Sequence, residues 1–442
     1  MKSPDRNELP PASAGRPDEA AGTASAAPAA ARPALPASGS VLYSARQPIL
    51  DRHARVYGYE LLFRSGPENR YTATDAEWAS AMNIEQTATV FGLDQLVGDR
   101  RAFVNLSRGA LLSEYHRLLP RERVVVELLE DIAPDAEVLA AVQRVRRDGY
   151  LLALDDYSGA PESEPFLDLV HMVKADLRRW PRALEPSQLG HLKSRGLKLL
   201  AEKVETHEEQ QAALAAGYDL LQGYFYCKPQ MVEVRDLPPS KLSVLRFVAE
   251  TSAAETSIGR IEELFRADVG LTVRLLRFLN SASFGWRHEV ESIRHALELL
   301  GERPLRRWAI MLAMMSLCED RPHELLVTAL SRAHFAQQIG ESRGLEDQHH
   351  DELFLAGMLT LIDTMVGRPA REILDGLAVS DSVRAAVLEH RAPLGPVLDL
   401  VTAYERGDWA ALAEMLKHHP VPDQTLDQAY VASLAWAEAT AM

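Results

Sequence analysis

The chain has 442 residues, with 48 basic against 63 acidic side chains and a formal charge of −15. Its 47% hydrophobic and 25% charged composition describes a soluble globular protein, and its length suggests two or three domains. The acidity argues against a binder of long nucleic acid, two distant cysteines (Cys227 and Cys318) exclude a disulfide framework or a Cys-rich zinc site, and no apolar run reaches the roughly 18 residues that span a membrane.

Residues 1–40 are rich in Pro and Ala, and their only other apolar side chains are Met1, Leu9 and Leu35. Such a segment has too little to bury to offset its chain entropy, and is expected to be a disordered tail. No apolar core follows Lys2, so it does not read as a secretory signal. Lys2, Arg6, Arg16 and Arg32 balance Asp5, Glu8, Asp18 and Glu19, which leaves the net charge to residues 41–442.

From Val41 to about Lys228, short apolar runs alternate with amphipathic stretches. The runs are Arg101–Leu106, Val124–Leu129, Tyr150–Leu154, Val170–Ala175, Leu197–Ala201 and Tyr218–Leu221. Helical patterns lie between them, as at Ala136–Arg147 and His207–Ala216, and Gly149, Gly196 and Gly217 stand where helices should end. Runs buried on both faces and separated by helices predict a parallel sheet, with a (β/α)8-type, TIM-like barrel over residues 41–232 as the leading architecture. The segment is short for that fold, so one unit is expected to be degenerate.

Polar residues gather at the C-terminal ends of these runs: Glu60, Asn105, Glu127, Asp155 with Asp156, Lys174, Glu202 and Gln222. A parallel barrel brings all of these positions to one rim, where catalytic groups collect. One such residue alone reads as a solvated strand end. The series does not, because buried, mutually repelling carboxylates need a cation or a proton to persist. Carboxylates plus one amide oxygen form a hard-oxygen set suited to Mg²⁺, Mn²⁺ or Ca²⁺.

These residues resemble the EAL domain, the cyclic di-GMP phosphodiesterase fold of bacterial signalling. The resemblance runs through Gln47-Pro48, Tyr59-Glu60-Leu61-Leu62-Phe63-Arg64, Phe103-Val104-Asn105-Leu106-Ser107, Val126-Glu127-Leu128-Leu129-Glu130, Leu154-Asp155-Asp156-Tyr157, Val173-Lys174-Ala175-Asp176, the stretch from Ala201 to Thr206, and Gln222-Gly223-Tyr224 with Lys228-Pro229. Eight short motifs in order over about 190 residues make it specific. The opening from Ala45 to Asp51 is most similar to the subgroup that joins an EAL domain to an HDOD domain. The resemblance implies Glu60, Asn105, Glu127 and Asp155 as ligands of a first Mg²⁺ or Mn²⁺ and Asp156 as a ligand of a second. It implies Lys174, Glu202 and Gln222 as catalytic groups around the attacking water, and Arg64 and Gln47 as ligand contacts. It implies Glu130 as a brace for the loop after Asp156, with Glu205 also in loop support. Two departures bear on turnover. The usual Glu-Ala-Leu is Glu60-Leu61-Leu62, and the usual Asp-Asp-Phe-Gly-Thr-Gly is Asp155-Asp156-Tyr157-Ser158-Gly159-Ala160. If the replaced glycine adopts a positive φ, Ser158 is strained there.

Residues 233–241 read as a linker punctuated by Pro238-Pro239, and beyond them helical spacing replaces strand signals. Residues 242–430 resemble the HDOD domain, through Asp268-Val269-Gly270-Leu271, Leu279-Asn280-Ser281-Ala282-Ser283-Phe284-Gly285, Ile293, Ala296-Leu297 and Leu300-Gly301. HDOD domains are similar to HD phosphohydrolases but lack their metal-binding His and Asp. Here Thr360 and Leu361 stand where His-Asp would, with His350-Asp351 as a decoy in a polar segment before that helix. His349-His350 and His418-His419 read as solvated surface, and Trp308 with Met311, Met314 and Met315 as core packing. The expectation is a cytoplasmic signalling protein that binds cyclic di-GMP through divalent metals and hydrolyses it, weakly or under regulation, to pGpG. Its helical domain would contact a protein partner, and a homodimer is implied by resemblance. A non-enzymatic binder or scaffold is the alternative, and a barrel acting on another phosphoester is a third reading.

Overall fold

A computed structural model describes residues 42–65, 93–179, 185–228, 239–252, 258–267, 269–280, 290–377 and 379–441. The segment 1–40, most of the expected linker, Asp268 and residues 281–285 lie outside the described residues.

Eight strands close a barrel in chain order: β1 (Leu42–Asp51), β2 (Val56–Ser65), β3 (Arg101–Leu106), β4 (Val124–Leu128), β5 (Leu151–Leu154), β6 (Met172–Asp176), β7 (Lys198–Glu202) and β8 (Leu220–Gln222). Ile49, Phe103, Val125, Ala153, Met172, Leu200 and Leu220 fill the interior, one from each strand except β2. The opposite faces pack outward in a larger core that includes Leu50, Leu61, Val104, Val126 and Leu221. This double burial is why the runs read as continuously apolar. Each fully buried Leu, Val or Phe contributes about 1.5–3 kcal/mol.

The expectation of a parallel sheet holds for β2 through β8, but β1 departs from it. It runs antiparallel to β2 and to β8. Only four residues separate β1 from β2, too few for a crossover helix. They form a tight turn in which Asp51 Oδ1 accepts from His53 N and Arg55 N, and Ala54 takes φ 56. β1 meets β8 only over Ile49–Asp51, so the first half of β1 is an edge with no strand on its outer side among the described residues.

The helix Ala136–Arg147 starts on an Asp135 cap, and His207–Ala216 on a Thr206–Glu209 capping box. Gly217 ends the latter at φ 98, the left-handed cap that its position suggested.

From Pro239 to Ala441 the described elements are helices. Pro239 already opens the helix Pro239–Ser252, so the expected linker ends three residues early. The last helix, Asp423–Ala441, continues past residue 430 and lies against β1 and the short helix Leu93–Val97 of the barrel. Met311 and Met314 are fully buried, with Trp308 and Met315 packed against them, as expected of core residues. His350-Asp351 lies inside the helix Asp347–Leu359 rather than before it. Glu346 and Asp347 stand at its N-terminus, where the helix dipole favours acidic groups, so the polar segment is its first turn. His349 and His350 are half-buried, not solvated. His418 is exposed, and His419 Nδ1 lies 3.3 Å from an Arg343 nitrogen.

Candidate active site

The strand register brings the polar ends together. Glu60 on β2 pairs with Phe103 on β3, and Asn105 on β3 stands opposite Glu127 on β4. Lys174 enters from β6, Glu202 from β7 and Gln222 from β8. Asp155 follows β5, its amide bonded to Leu128 O of β4.

Lys174 is fully buried and organises the cluster. Its Nζ lies 2.8 Å from Glu127 Oε1, 2.9 Å from Asp155 Oδ1, 3.0 Å from Glu202 Oε1 and 3.1 Å from Glu60 Oε2. Glu60 also accepts from Asn105 Nδ2 (3.2 Å) and Gln222 Nε2 (2.6 Å), and Gln222 Nε2 reaches Gln47 Oε1 at 2.8 Å. Eight of the expected residues therefore form one connected group: Gln47, Glu60, Asn105 and Gln222 through hydrogen bonds on Glu60 and Gln222, and Glu127, Asp155 and Glu202 through Lys174.

Four carboxylates around one ammonium cannot all have ordinary acidity. Burial pushes Glu127 well above the usual carboxylate range, and the charges of Glu60 and Asp155 add to that. Burial raises Glu202 to about 7 against the attraction of Lys174. Burial also works against Glu60, but Lys174, Gln222 and Asn105 outweigh it and hold that group below its ordinary value. Lys174 loses solvation on burial, yet its carboxylate neighbours keep it firmly charged.

The donor chemistry fits a divalent cation. The oxygens are hard, carboxylates outnumber the ammonium, and Glu127 Oε2 and Gln222 Oε1 are buried with no hydrogen-bond partner among the described residues. The arrangement is nonetheless drawn in on Lys174. Among the described residues, no three His, Cys, Asp or Glu side chains are placed to hold a metal as they stand.

Asp156 is half-buried and takes φ 43, in the left-handed region that Asp tolerates better than most residues. The concern over Ser158 is not supported: its φ is not positive, and Gly159 carries that conformation at φ 79. Tyr157 N bonds Lys174 O at 2.8 Å and ties the loop to β6. Glu130 is exposed, and no bond among the described residues joins it to this loop. Glu205 is exposed and pairs with Lys228 at 3.0 Å. Arg64 lies on β2 opposite Tyr43; its side chain is outside the described residues.

Gly223 carries no role in the sequence pattern beyond its place after Gln222. It follows Gln222 with φ 148, and a Cβ there would stand 2.0 Å from Val204 O. Only glycine lets β8 end this close to the segment after Glu202. In the helical domain, Thr360 Oγ1 accepts from Arg332 (2.8 Å), whose guanidinium also pairs with buried Glu405 (2.7 Å). A guanidinium thus lies beside Thr360, one of the two residues at the expected His-Asp position.

A family model for the HDOD domain matches residues 237–367. The cyclic di-GMP phosphodiesterase CdgJ of Vibrio cholerae is 33% identical over 375 residues, covering 84% of this chain and 87% of CdgJ. YuxH of Bacillus subtilis is 30% identical over 403 residues, covering 89% and 98%. The structure of Klebsiella pneumoniae BlrP1 in complex with manganese and cyclic di-GMP aligns at 24% identity with a TM-score of 0.35, over 42% of this chain and 56% of that one.

Proposed function

This chain belongs to the EAL–HDOD family, and we propose that it is a divalent-metal-dependent cyclic di-GMP phosphodiesterase, cytoplasmic, whose helical domain meets a protein partner. The observation that carries the reading is the buried cluster in which Lys174 meets Glu60, Glu127, Asp155 and Glu202 at one rim of the barrel. Glu60, Asn105, Glu127 and Asp155 would hold one cation and Asp156 a second. Bound there, the cations would neutralise the phosphodiester and lower the pKa of water.

The chain's own groups account for the rest. Glu202, raised to about 7, is suited to take a proton from the attacking water near neutral pH. The water oxygen bonds to phosphorus as the ester bond to the ribose oxygen breaks. The leaving oxygen takes a proton, and linear pGpG results. Lys174 holds the carboxylates in a fixed frame, and Gln222, bonded to Gln47 and Glu60, keeps its Oε1 available beside them.

A second reading, binding without turnover, is favoured by the way all four carboxylates close on Lys174. Incubating the protein with cyclic di-GMP and Mg²⁺ or Mn²⁺ separates the two. The expected result is pGpG from the wild type and none from Glu60→Ala. Tight calorimetric binding without product would favour the effector, and equal behaviour of the two proteins would remove the enzyme reading. Product from another phosphodiester in preference to cyclic di-GMP would redirect the substrate.

A further inference from the structure

Three barrel segments that supply site residues are held from outside by the helical domain. On β1, Gln47 faces the site while Ser44 and Arg46 face the helices. Ser44 N and Oγ both donate to Asp427 Oδ1, at 2.8 and 2.7 Å, and Tyr404 OH donates to the same oxygen at 2.9 Å. Arg46 N lies 3.4 Å from Tyr430 OH. Ser44 N and Arg46 N lie in the half of β1 that no strand covers among the described residues, so helix side chains meet the barrel edge there.

On β2, directly opposite Gln47, Glu60 faces the site while Tyr59 faces out. The Arg46 guanidinium stacks 4.0 Å over the Tyr59 ring and donates to Leu96 O (2.7 Å) and Glu438 (2.8 Å). Tyr59 OH donates to Glu324 at 2.9 Å. After β8, two residues beyond Gln222, the Tyr224 ring lies 5.0 Å from the Arg406 guanidinium. Arg46, Tyr59, Glu324 and Asp427 are all buried, so these contacts are shielded from water.

We propose that Asp427 and Glu438 of the last helix are positioning residues for the barrel's site. They hold β1 and β2 from outside, so that Gln47 and Glu60 keep their register with Gln222 and Lys174. The helical domain thereby sets the competence of the barrel, and any partner that shifts the last helix changes turnover. This rests on the hydrolase reading above.

The test uses the full chain with Asp427→Ala, Glu438→Ala and the conservative Asp427→Asn, whose amide oxygen still accepts from Ser44. Folding is checked by circular dichroism. The expected result is a fall in kcat of about tenfold or more in both alanine variants, a higher Mn²⁺ requirement, and KM changed by less than about threefold, with Asp427→Asn close to wild type. In parallel, amide exchange at Ser44, Arg46 and Glu60 should quicken about tenfold or more without metal or ligand. A folded Asp427→Ala or Glu438→Ala with wild-type kcat and Mn²⁺ dependence overturns the proposal. A wild type that neither binds nor hydrolyses cyclic di-GMP overturns the functional reading instead. The exchange comparison then decides the clamp by itself, and unchanged β1 and β2 amides sink it.

Discussion

Lys174 shows how one side chain can set the chemistry of its neighbours. With no exposure and four carboxylates within about 3 Å, it is the counter-charge that lets them share a dry rim. Lys174→Met removes that charge and leaves buried anions uncompensated, which should cost about 3–5 kcal/mol of stability without metal. If these oxygens take divalent cations, Mn²⁺ should raise the melting temperature of the variant more than that of the wild type. Equal shifts in a thermal titration would argue that the carboxylates do not hold the ion. Lys174 and its acidic partners were legible in the sequence, because each ends an apolar run. Their collapse onto one nitrogen was not, because strand order says nothing about which groups point at each other.

At the scale of elements, the contact between β2 and the helix His323–Ser342 carries a titratable group. Burial raises Glu324 to about 7, which Arg46 partly opposes and Glu438 reinforces. The folded state binds this proton more tightly than the unfolded chain, whose carboxyl lies at 4.5. The stabilisation is therefore full below that value, fades as pH rises towards 7, and is absent above it. Its span is at most about 3 kcal/mol. Glu324→Gln keeps an acceptor for Tyr59 without the charge. Its melting temperature relative to wild type should climb between pH 4.5 and 7 and then level, and a flat difference would refute the assignment. Strands β3 to β8 and the helices Ala136–Arg147 and His207–Ala216 fell where periodicity placed them, because alternation and capping are local. β1 escaped that reading. Its pattern is broken by Arg46 and Gln47, whose partners come from Glu438 nearly four hundred residues later and from Gln222.

For the molecule as a whole, the charge of −15 opposes an anionic ligand. Cyclic di-GMP association at fixed divalent cation should therefore speed up about severalfold as NaCl rises from about 10 to 150 mM, through screening. Stopped-flow measurement would show this, and a rate that falls with salt would mean that a local positive field steers the ligand. The acidic surface and the acidic rim act differently: the first repels the ligand, and the second collects the cations that would receive its phosphates.

The amino-acid sequence by itself determined the two halves of the chain, the barrel class and the rim residues. Each of these is carried by local pattern or by residue type at a strand end. Only the tertiary structure decided that β1 runs antiparallel, that Gly159 rather than Ser158 bears the positive φ, that Lys174 draws the carboxylates together, and that the last helix seals the open edge of β1. These depend on chain closure and on partners far away in sequence, where the geometry of the folded barrel selects which polar groups meet.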